Sequence, residues 1–509
     1  MKELAFGIDF GTTNSLLSIW GTQVQEGRKL PEPMLQGAGR PHPSVVWYQL
    51  ERPPIVGEQA RTRMAEEQNL MGNAFYRSIK RKLGKNHTIS VPGEEPIEAW
   101  RAGSEIFKHL KTHAESEPVL QGLGSTIGEA VVSIPVHFDG RSRRDLRQAM
   151  REAGINLTTF VHEPFAALLA QFYDPETKLQ SLRDKKVLVF DWGGGTLDVC
   201  LAAVSADGRQ IIELGRSWIN DLAGDEFDHR LMADIKNQFI TSEQIDPDRF
   251  ILEKAVEGRF WNRCENAKIA LSNEEITDLI VPSFWSVAGN PIDLETELTR
   301  GNFEVLIEHF LDKAMAAVNR CLEEAGIDQA TLVDEVVMVG GSSNIPAIRH
   351  RMIELFGSRV SVVNMPEAAI SRGAAIVAAE GWRPFAARSV AIQLSDDTYF
   401  DILKFGQPLI GSESREFTFF CVDPRSGQAD FFFHERPDEG DPIYQKLSDM
   451  LSIPVTRHLA GLDQLKRDRI VCRFSVSEDL TLQCRGRSSS LGQDKEVEVH
   501  DICFGLHLD

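Results

Sequence analysis

The spacing of apolar residues changes repeatedly between short buried runs and a helical period over the first 380 residues. Compact apolar runs at 4–9, 16–20 and 44–48 predict strands, and mixed helical and loop sequence follows to about Gly124. A further apolar run at 129–135 ends in proline and predicts another strand. This alternation is typical of an α/β structure.

The next elements alternate in the same way. Residues 141–153 have helical spacing that is closed by Gly154. Residues 160–161 predict a short strand that leads directly into a helix beginning at Glu163-Pro164, since proline is favourable in a first helical turn.

The strand series then restarts in the middle of the chain. The predicted strands are 186–190, 196–204, 211–216 and 336–339, and the predicted helices are a long region over 227–272 and an alanine-rich helix over 367–379. The repetition predicts two lobes, about 1–185 and about 186–382, with a nucleotide cleft between them.

After Trp382 the pattern becomes that of a small β domain. Residues 383–389 are predicted to be a linker, and 390–509 are predicted to form an antiparallel β-sandwich. Within this domain, segments 416–422 and 429–434 are predicted to pair as a hairpin.

Two further predictions concern the same domain. Residues 443–451 have a spacing that predicts a short helix. Four phenylalanines alternate along two strands and are predicted to be core, with the lining of a peptide groove as the alternative: Phe417, Phe419, Phe431 and Phe433.

Composition narrows the classes of function. The 509 residues exceed one hydrophobic core, and the formal charge of −20 argues against nucleic acid or an anionic membrane as partner. There is no apolar run of bilayer-spanning length, and a strand rather than a signal peptide is predicted at the N-terminus. Seven cysteines without Cys-x-x-Cys spacing indicate reduced thiols, so a cytoplasmic protein is expected.

Two glycine-rich turns carry the clearest chemistry. Each follows an apolar strand and contains an aspartate, then glycines, then threonine. The turns read Gly7-Ile8-Asp9-Phe10-Gly11-Thr12-Thr13-Asn14-Ser15 and Phe190-Asp191-Trp192-Gly193-Gly194-Gly195-Thr196-Leu197-Asp198. Glycines allow backbone N–H groups to approach an anion, the carboxylates can hold a metal, and the hydroxyls can donate to phosphate. Two copies predict that a nucleotide phosphate is held from both sides.

With three further segments, the turns resemble a known family. In chain order, the motifs are the two turns, His162-Glu163-Pro164, Val339-Gly340-Gly341-Ser342, and Pro366 followed by Gly373-Ala374-Ala375. Together they resemble the ATPase domain of DnaK-type heat-shock chaperones, the seventy-kilodalton heat shock proteins of the actin/hexokinase superfamily. The resemblance covers about 380 residues and implies a two-lobed actin-like domain followed by a β-sandwich substrate-binding domain.

The resemblance implies a set of catalytic roles. Asp9 and Asp191 would hold Mg²⁺ through its waters, and Lys80 would position the attacking water. The catalytic residues implied are Lys80, Glu163, Asp191, Thr196 and Asp198. Judged from the residues alone, a solvated basic face is the favoured interpretation of Lys80, because Arg77, Arg81 and Lys82 surround it.

The resemblance also implies ATP or ADP as ligand, with Mg²⁺ and K⁺ as candidate ions. The ATP-binding residues implied are Gly11, Thr12, Thr13, Asn14, Gly193, Gly194, Gly195, Gly224, Asp225, Glu265, Lys268, Ser272, Gly340, Gly341, Ser342, Asn344 and Glu367. From spacing alone, Glu265 and Lys268 are also compatible with a surface ion pair on one helix.

The chain departs from this family at several positions. Ile269 and Asn344 stand where the family has arginines flanking adenine, which predicts weaker ATP binding. His162 and Phe165 alter a segment that J-domain co-chaperones contact in the family, which argues against ordinary J-domain docking. The acidic, leucine-rich linker is replaced around 387–390, and no helical lid is expected after the sandwich.

Two histidines give a weaker signal. His109 and His113 lie four residues apart, which is the spacing of a helical metal pair, but the sequence offers no evident third ligand. A solvated helix face is therefore the favoured interpretation.

Three functional hypotheses follow. The first is an ATP-dependent chaperone-like protein that slowly hydrolyses ATP to control binding of unfolded or extended polypeptide, with a co-chaperone or nucleotide-exchange factor as further partner. The second is a small-molecule kinase of the same superfamily. The third is a nucleotide-switched scaffold that binds one dedicated partner or forms filaments.

Overall fold

The structure is a computed structural model that describes residues 3–25, 28–37, 39–67, 73–220, 222–287, 290–436, 444–457 and 468–508. It divides into two compact units. The first contains the described residues up to His137, together with Asp145–Arg209 and Leu214–Glu380. The second contains Phe138–Arg144, Gln210–Glu213 and the described residues from Gly381 onward.

The first part of the first unit is built on a six-stranded mixed sheet and has two smaller sheets. Its strands are β1 Ala5–Asp9, β2 Asn14–Gln25, β3 Arg28–Pro33, β4 His42–Pro43, β5 Val46–Gln49, β6 Arg52–Val56, β7 Asn73–Tyr76, β8 Thr88–Ile89, β9 Ile97–Glu98, β10 Glu129–Ile134 and β11 Asn156–His162. Its helices are α1 Glu58–Glu67, α2 Ala99–Ser116, α3 Pro118–Leu123, α4 Gly140–Glu152, which enters this unit at Asp145, and α5 Glu163–Phe172. The main sheet has the order β11-β10-β1-β2-β3 and includes β4 beside β2, and the two smaller sheets are β6-β5-β7 and β8-β9.

The second part of the first unit repeats this plan. Its strands are β12 Lys186–Trp192, β13 Thr196–Val204, β14 Gln210–Asn220, which enters this unit at Leu214, β15 Ile276–Val287, β16 Asn290–Thr299, β17 Glu335–Val339 and β18 Val360–Val362. Its helices are α6 Gly224–Ser242, α7 Lys254–Leu271, α8 Arg300–Glu324, α9 Pro346–Phe356 and α10 Ala369–Glu380.

The two sheets of the first unit share one topology around their glycine turns. Strand β1 pairs antiparallel with β2 and parallel with β10. Strand β12 likewise pairs antiparallel with β13 and parallel with β17. The internal repeat predicted from the sequence is therefore present in the strand pairing, and the mixed α/β fold class is confirmed.

Helix α10 packs against β1 through small residues. A Cβ at Gly7 would collide with the backbone of Ala375, and one at Gly373 would collide with the backbone of Ala166 on α5. The hydroxyls of Ser18 and Ser371 lie 2.7 Å apart across the same contact. Residues 369–380 fall in the range predicted for the second lobe, yet they cover the sheet of the first.

The predicted helical region over 227–272 is two helices, α6 and α7, separated by a break near Pro247. Their apolar faces share one core with β12, β13 and α8. None of the described helices combines the length and the apolar character that crossing a bilayer would require.

The second unit is an antiparallel β-sandwich, as predicted. Its strands are β19 Arg383–Ala386, β20 Ser389–Gln393, β21 Tyr399–Leu403, β22 Arg415–Phe420, β23 Gln428–Arg436, β24 Gln445–Pro454, β25 Arg469–Val476, β26 Leu482–Ser488, β27 Asp494–Val499 and β28 Phe504–His507. The two four-stranded sheets have the orders β21-β20-β23-β24 and β22-β25-β26-β27. Phe417 and Phe419 contact rings of the facing sheet, and Phe431 and Phe433 are buried, so these four residues belong to the core.

Three local predictions in this unit are wrong. Segments 416–422 and 429–434 do not form a hairpin, because β22 pairs with β25 and β23 pairs with β20 and β24. The helix expected over 443–451 is strand β24, in which Leu451 and Ile453 are buried at a period of two; residue 443 lies outside the described residues. The linker expected at 383–389 is largely strand, since β19 pairs with β28 and β20 begins at Ser389.

A buried arginine ties together three segments of the second unit. The guanidinium of Arg143 donates to the carbonyls of Phe138, Asp479, Leu480 and His500 at 2.6–3.1 Å. Burial is the main reason that the pKa of Arg143 falls to about 10. These four backbone carbonyls compensate for the burial of the guanidinium charge.

Three histidines meet in the first unit, and the sequence predicted only two of them as neighbours. His42 is buried; its Nδ1 lies 3.0 Å from Nε2 of His109, and its Nε2 lies 3.0 Å from the carbonyl of Met34. The ring of His113 packs at 4.5 Å from that of His42. The solvated helix face expected for His109 and His113 is therefore wrong, because both pack against β4.

This cluster predicts a loss of stability in mild acid. Burial, with smaller contributions from His109 and His113, lowers the pKa of His42 from 6.5 to about 4, against the opposing hydrogen bond to Met34. In the unfolded chain, His42 takes up a proton as the pH falls below 6.5, whereas in the folded chain it does so only near pH 4. Stability is therefore full above the unfolded pKa and decreases as the pH falls, by on the order of 1 kcal/mol between pH 7.5 and 5.5.

The measurement is urea unfolding of His42→Asn and of the unaltered protein at both pH values. The variant is expected to lose less stability on acidification. His87→Gln, at an exposed position, is the matched control and should keep the original pH dependence. An unchanged pH dependence in His42→Asn would contradict the assignment.

Candidate functional site

A cleft in the first unit is lined by both glycine turns. Nearly all of the residues implied by the resemblance lie on its walls: Asp9, Gly11, Thr12, Thr13, Asn14, Lys80, Glu163, Asp191, Gly193, Gly194, Gly195, Thr196, Gly224, Asp225, Glu265, Lys268, Ser272, Gly340, Gly341, Ser342 and Glu367. Asp198 and Asn344 are the two implied residues that are not among its lining.

The catalytic group gathers at strand and helix ends. Asp9 is the last residue of β1, Asp191 lies near the end of β12, and Glu163 is the first residue of α5. Lys80 lies on a single 3₁₀ turn, Ile79–Lys82, and its ammonium group donates to Glu163 Oε1. The solvated basic face considered for Lys80 is wrong, because Lys80 is 7% exposed.

The carboxylates around Lys80 fix its charge. Burial by itself lowers the pKa of Lys80, but Glu163, Asp9 and Asp198 together outweigh burial and raise it. The lysine is therefore a permanent cation in this site. Because this one buried ammonium faces several carboxylates, the site has an excess of negative charge.

That excess appears in the carboxylates themselves. Burial, assisted by the nearby Asp9 and Asp198, outweighs the opposing effect of Lys80 and raises the pKa of Glu163 to about 7. Burial also raises the pKa of Asp191, and Glu163 and Asp198 add to this. The pKa of Asp9 is raised by burial although Lys80 and a hydrogen bond from Ser133 oppose it.

The donor set fits a cation held through water. Within the described part of the chain, no group of three or more His, Cys, Asp or Glu side chains is arranged to ligate a metal directly. Clustered carboxylates with raised pKa values would nevertheless be stabilised in their charged form by a nearby divalent cation. Asp9 and Asp191 therefore suit a hydrated Mg²⁺, which keeps most of its waters in proteins.

The glycines of the second turn allow it to lie directly against the threonines of the first turn. A Cβ at Gly194 would collide with the side-chain oxygen of Thr13, and one at Gly195 would collide with Thr12. Thr13 Oγ1 is buried and has no hydrogen-bond partner among the described residues. A guanidinium N–H of Arg81 donates to the carbonyl of Gly195 and holds the turn in place. This cradle of amides and hydroxyls suits a phosphate group.

Asp198 lies next to the cleft without lining it. It is buried, pairs with Asp191 across the β12–β13 ladder, and accepts a hydrogen bond at 3.2 Å from Nδ1 of His137. The ring of His137 stacks on the half-exposed Trp218. Asp198 therefore influences the site through its charge rather than by lining it.

The far end of the cleft is formed by α7 and the turn after β17. Lys268 donates to Asp228 at 2.7 Å and to the carbonyl of Gly224 at 2.9 Å. Burial raises the pKa of Asp228 to about 6 despite the opposing charge of Lys268. The predicted surface pair with Glu265 is replaced, since Glu265 pairs instead with Arg61 at 3.0 Å.

Two contacts bridge the lobes next to the phosphate turns. One is the pair between Arg61 on α1 and Glu265 on α7. The other places the guanidinium carbon of Arg77 at 3.4 Å from the ring centroid of Trp261. All four residues line the same pocket as Thr12 and Thr13.

Asn344 is held away from the cleft lining. Its side-chain oxygen accepts a hydrogen bond at 2.8 Å from Arg349, one turn into α9. Arg349 also donates to the carbonyl of Ser343 at 3.1 Å. The side chain of Asn344 is therefore bound to Arg349 of α9. Ser342, by contrast, lines the cleft and donates to the carbonyl of Gly193 at 2.9 Å.

Sequence reasoning missed part of the lining. The cleft also contains Ser15, Leu16, Pro41, Ile269, Ile345, Pro366 and Ile370. Four of these seven lie next to a predicted site residue, so adjacency could have found Ser15, Ile269, Ile345 and Pro366. Leu16, Pro41 and Ile370 carry no such signal. Ile269 was noted as a departure from the family and lies on the wall with its side chain 48% exposed.

Comparison with known proteins agrees with this site. The sequence profile of the family described as Hsp70 protein matches residues 5–380. The chain is 32% identical to "Chaperone protein DnaK" of Thermosipho melanesiensis over 378 residues, and 32% identical to the protein of that name from Thermotoga maritima over 382 residues. The protein of that name from Mycoplasmopsis synoviae is 31% identical over 375 residues.

These matches cover 74% of the chain and 58–59% of the length of the relatives. The family match over residues 5–380 includes both glycine turns, the Lys80–Glu163 pair and the residues that line the cleft. The chain therefore belongs to the Hsp70 family.

Proposed function

We propose that this protein is an ATP-dependent chaperone-like protein that binds ATP, hydrolyses it slowly and thereby controls the binding of extended polypeptide by its second unit. The observation that carries the proposal is the buried Lys80 ammonium, held by Glu163 beside a phosphate cradle whose Thr13 hydroxyl has no hydrogen-bond partner in the described chain. The names of the relatives support the chaperone part.

In this proposal the residues of the chain promote hydrolysis by holding the phosphates and the metal ion in place and by stabilising charge. The amides of Gly194 and Gly195 and the hydroxyls of Thr12 and Thr13 bind the terminal phosphates. Asp9 and Asp191 would hold Mg²⁺ through water, and the ion would neutralise charge on the phosphate oxygens. Lys80 stabilises the negative charge that develops during hydrolysis.

The remaining groups orient the water. Glu163 accepts a hydrogen bond from Lys80 and has an oxygen left for a water molecule. Asp198 keeps Lys80 charged from behind the cleft. Thr196 donates to the transferred phosphate. Because Lys80 already occupies Glu163, the site has no free strong base, and slow turnover is expected.

We further propose a cytoplasmic location and partners without nucleic acid or membrane. The seven cysteines are all buried and show no Cys-x-x-Cys spacing, which suits a reducing compartment. The formal charge of −20 opposes binding to polyanions. Co-chaperones or exchange factors remain part of the proposal, with an ordinary J-domain disfavoured by His162 and Phe165.

For the polypeptide site we propose the edge of the second unit's second sheet. Strand β22 lies at an end of the sheet order and pairs with β25 on one side. Phe420 at its end is 57% exposed and Val422 is 54% exposed. An edge strand with exposed apolar side chains suits the addition of an extended peptide.

The first prediction concerns Lys80→Ala. Steady-state release of inorganic phosphate from ATP is expected to fall by about 100-fold or more, because the charge nearest the reacting phosphate is lost. Affinity for ADP should change by less than about fivefold, since the glycine cradle is intact. Phosphate transfer to a sugar in place of release would favour the small-molecule kinase.

Lys85→Ala is the matched control, because Lys85 is exposed and lies five residues further along the chain. It should retain full turnover. Circular dichroism and ADP binding establish that Lys80→Ala is folded. Undiminished turnover in folded Lys80→Ala would contradict the proposed role.

The second prediction concerns Gly194→Ala. The added Cβ would meet Thr13 in the phosphate cradle, so affinity for both ATP and ADP should fall by roughly ten- to a hundredfold. Isothermal titration calorimetry measures this directly. Gly122→Ala on α3 meets open space and should bind as the unaltered protein does. Equal affinity in the two variants would exclude phosphate binding at this turn.

The third prediction concerns peptide binding. In the full chain, fluorescence anisotropy with labelled extended apolar peptides should show weak binding with rapid dissociation, because Phe420 and Val422 at the proposed site are more than half exposed. Phe420→Ser should weaken binding by at least about fivefold. Ile410→Ser, at another exposed position in the same unit, is the control.

Two outcomes would argue against this part of the proposal. If no peptide binds at high concentration, a scaffold for one dedicated folded partner becomes the better explanation. If peptides bind but ATP and ADP give the same dissociation rate, nucleotide control of binding is lost while the binding site stands.

A further inference from the structure

A short segment of the first unit, residues 41–44, is hydrogen-bonded to the first glycine turn. Strand β4, in the middle of this segment, pairs antiparallel with the first two residues of β2, which are also the last two residues of the turn. The backbone amide of Ser44 then donates to the carbonyl of Thr13 at 2.8 Å. The pairing that β4 begins therefore continues into the turn itself.

The hydroxyl of Ser44 completes a closed ring of hydrogen bonds. It donates to the carbonyl of Gly11 at 2.9 Å, and its oxygen lies 2.8 Å from the hydroxyl oxygen of Ser15. The amide of Gly11 donates to Ser15 Oγ at 3.2 Å. Because the proton of Ser44 is directed at the carbonyl, the hydroxyl of Ser15 must be the donor to Ser44. Both serines are buried, and both backbone groups of Gly11 are bound in the ring.

Ser44 therefore holds the turn on both sides of Thr12. Its amide binds the carbonyl of Thr13, and its hydroxyl binds the carbonyl of Gly11. In the proposed function the hydroxyls of Thr12 and Thr13 bind the terminal phosphates. The glycines of the second turn also lie against these two threonines, so a displacement of either threonine would disturb both walls of the cradle.

The segment is anchored on its other side by His42. Pro41 lines the cleft, and Pro43 lines the neighbouring pocket that contains Thr12 and Thr13. Successive side chains of a strand point to opposite faces, and the side chain of His42 is accordingly buried away from these cavities, against α2. Its Nδ1 lies 3.0 Å from Nε2 of His109 on that helix.

The direction of the hydrogen bonds at His42 follows from its partners. The carbonyl of Met34, 3.0 Å from Nε2 of His42, can only accept, so Nε2 carries the proton. Burial is the main reason that the pKa of His42 falls to about 4, so the ring is neutral near pH 7 and its Nδ1 accepts from His109. A buried acceptor that loses its donor is destabilised. His109 thus holds the ring to α2.

We infer that Ser44 is a positioning residue for the phosphate site, and that the hydrogen bond between His109 and His42 keeps Ser44 in place. This inference rests on the proposed nucleotide-binding function. Neither Ser44 nor His109 is among the residues that line the cleft. Both act through the backbone of the first glycine turn.

The first test is calorimetric titration of the full chain with ADP in the presence of Mg²⁺. Ser44→Ala should weaken ADP binding by about tenfold, because the carbonyl of Gly11 loses its donor and the ring of hydrogen bonds opens. Ser104→Ala is the matched control: Ser104 is also buried, but its hydroxyl donates to the carbonyl of Arg101 in α2. It should bind ADP as the unaltered protein does. Unchanged ADP affinity in Ser44→Ala would overturn the inference.

A second pair of variants tests the anchor without any change at Ser44. His109→Phe keeps an aromatic ring and removes the donor to His42, so ADP binding should weaken by about fivefold. His113→Phe, one turn further along α2, keeps the ring contact with His42 and removes only the contact of its Nε2 with the carbonyl of Leu35 at 3.4 Å. It should leave ADP affinity unchanged. Equal affinities in the two folded variants, established by circular dichroism, would overturn the role of His109.

The double variant shows whether the two residues act by one route. If His109 acts through Ser44, then Ser44→Ala combined with His109→Phe should bind ADP about tenfold more weakly than the unaltered protein, as Ser44→Ala does alone. Independent effects would multiply to about fiftyfold, and that result would overturn the proposed connection. A general loss of stability would not produce such coupling in ADP affinity.

The outcomes also distinguish this inference from the proposed function. If Gly194→Ala weakens ADP binding while Ser44→Ala and His109→Phe do not, the phosphate site stands and only the positioning role fails. If ADP does not bind the unaltered protein, the nucleotide-binding function fails and this inference fails with it.

Discussion

The first unit is organised around one buried ion pair, that of Lys80 and Glu163. Removing two charges from water costs several kcal/mol per ion, roughly, unless further partners compensate, so such a pair contributes little to stability by itself. Here it is surrounded by Asp9, Asp191 and Asp198, which makes the region less stable still. Burying this many charged groups is explained if a ligand balances their charge. The excess charge is negative, and in the proposed function the cradle beside it binds an anion. A divalent cation with a phosphate satisfies both requirements.

The duplicated strand pair explains how two distant segments make one cradle. In each sheet an antiparallel pair is joined by the glycine turn, and a parallel neighbour fixes the end at which the aspartate emerges. Small residues then allow close packing: Gly7 and Gly373 admit α10 against β1 and α5. Larger side chains there would displace β1 and with it Asp9. The backbone geometry of the cradle is therefore fixed by packing well outside it.

The local sequence pattern was enough to predict the two glycine turns, but not to predict which side chains and strands contact one another in the fold. The order strand, aspartate, glycines, threonine could be recognised in the sequence because every element of it is contiguous. Whether Lys80 was catalytic or solvated could not be decided, because the answer depends on Glu163, which is 83 residues away. The same limit explains the error at β22 and β23: both strands were recognised, but each pairs with a strand outside the expected hairpin. His42 was missed beside His109 for this reason too.

The cleft is lined by several separate elements, and this has a consequence for how it can change. Charge-assisted hydrogen bonds to phosphate are roughly twice as strong as neutral ones, so most of the binding free energy would come from the glycine turns. Helix α7 contributes Lys268, Ile269 and Ser272 to the cleft lining, whereas the Lys80–Glu163 pair and the glycine turns lie on other elements. In the proposed function, a substitution on the exposed side of α7 would therefore alter contacts with the nucleotide while the groups that act on the phosphate keep their places.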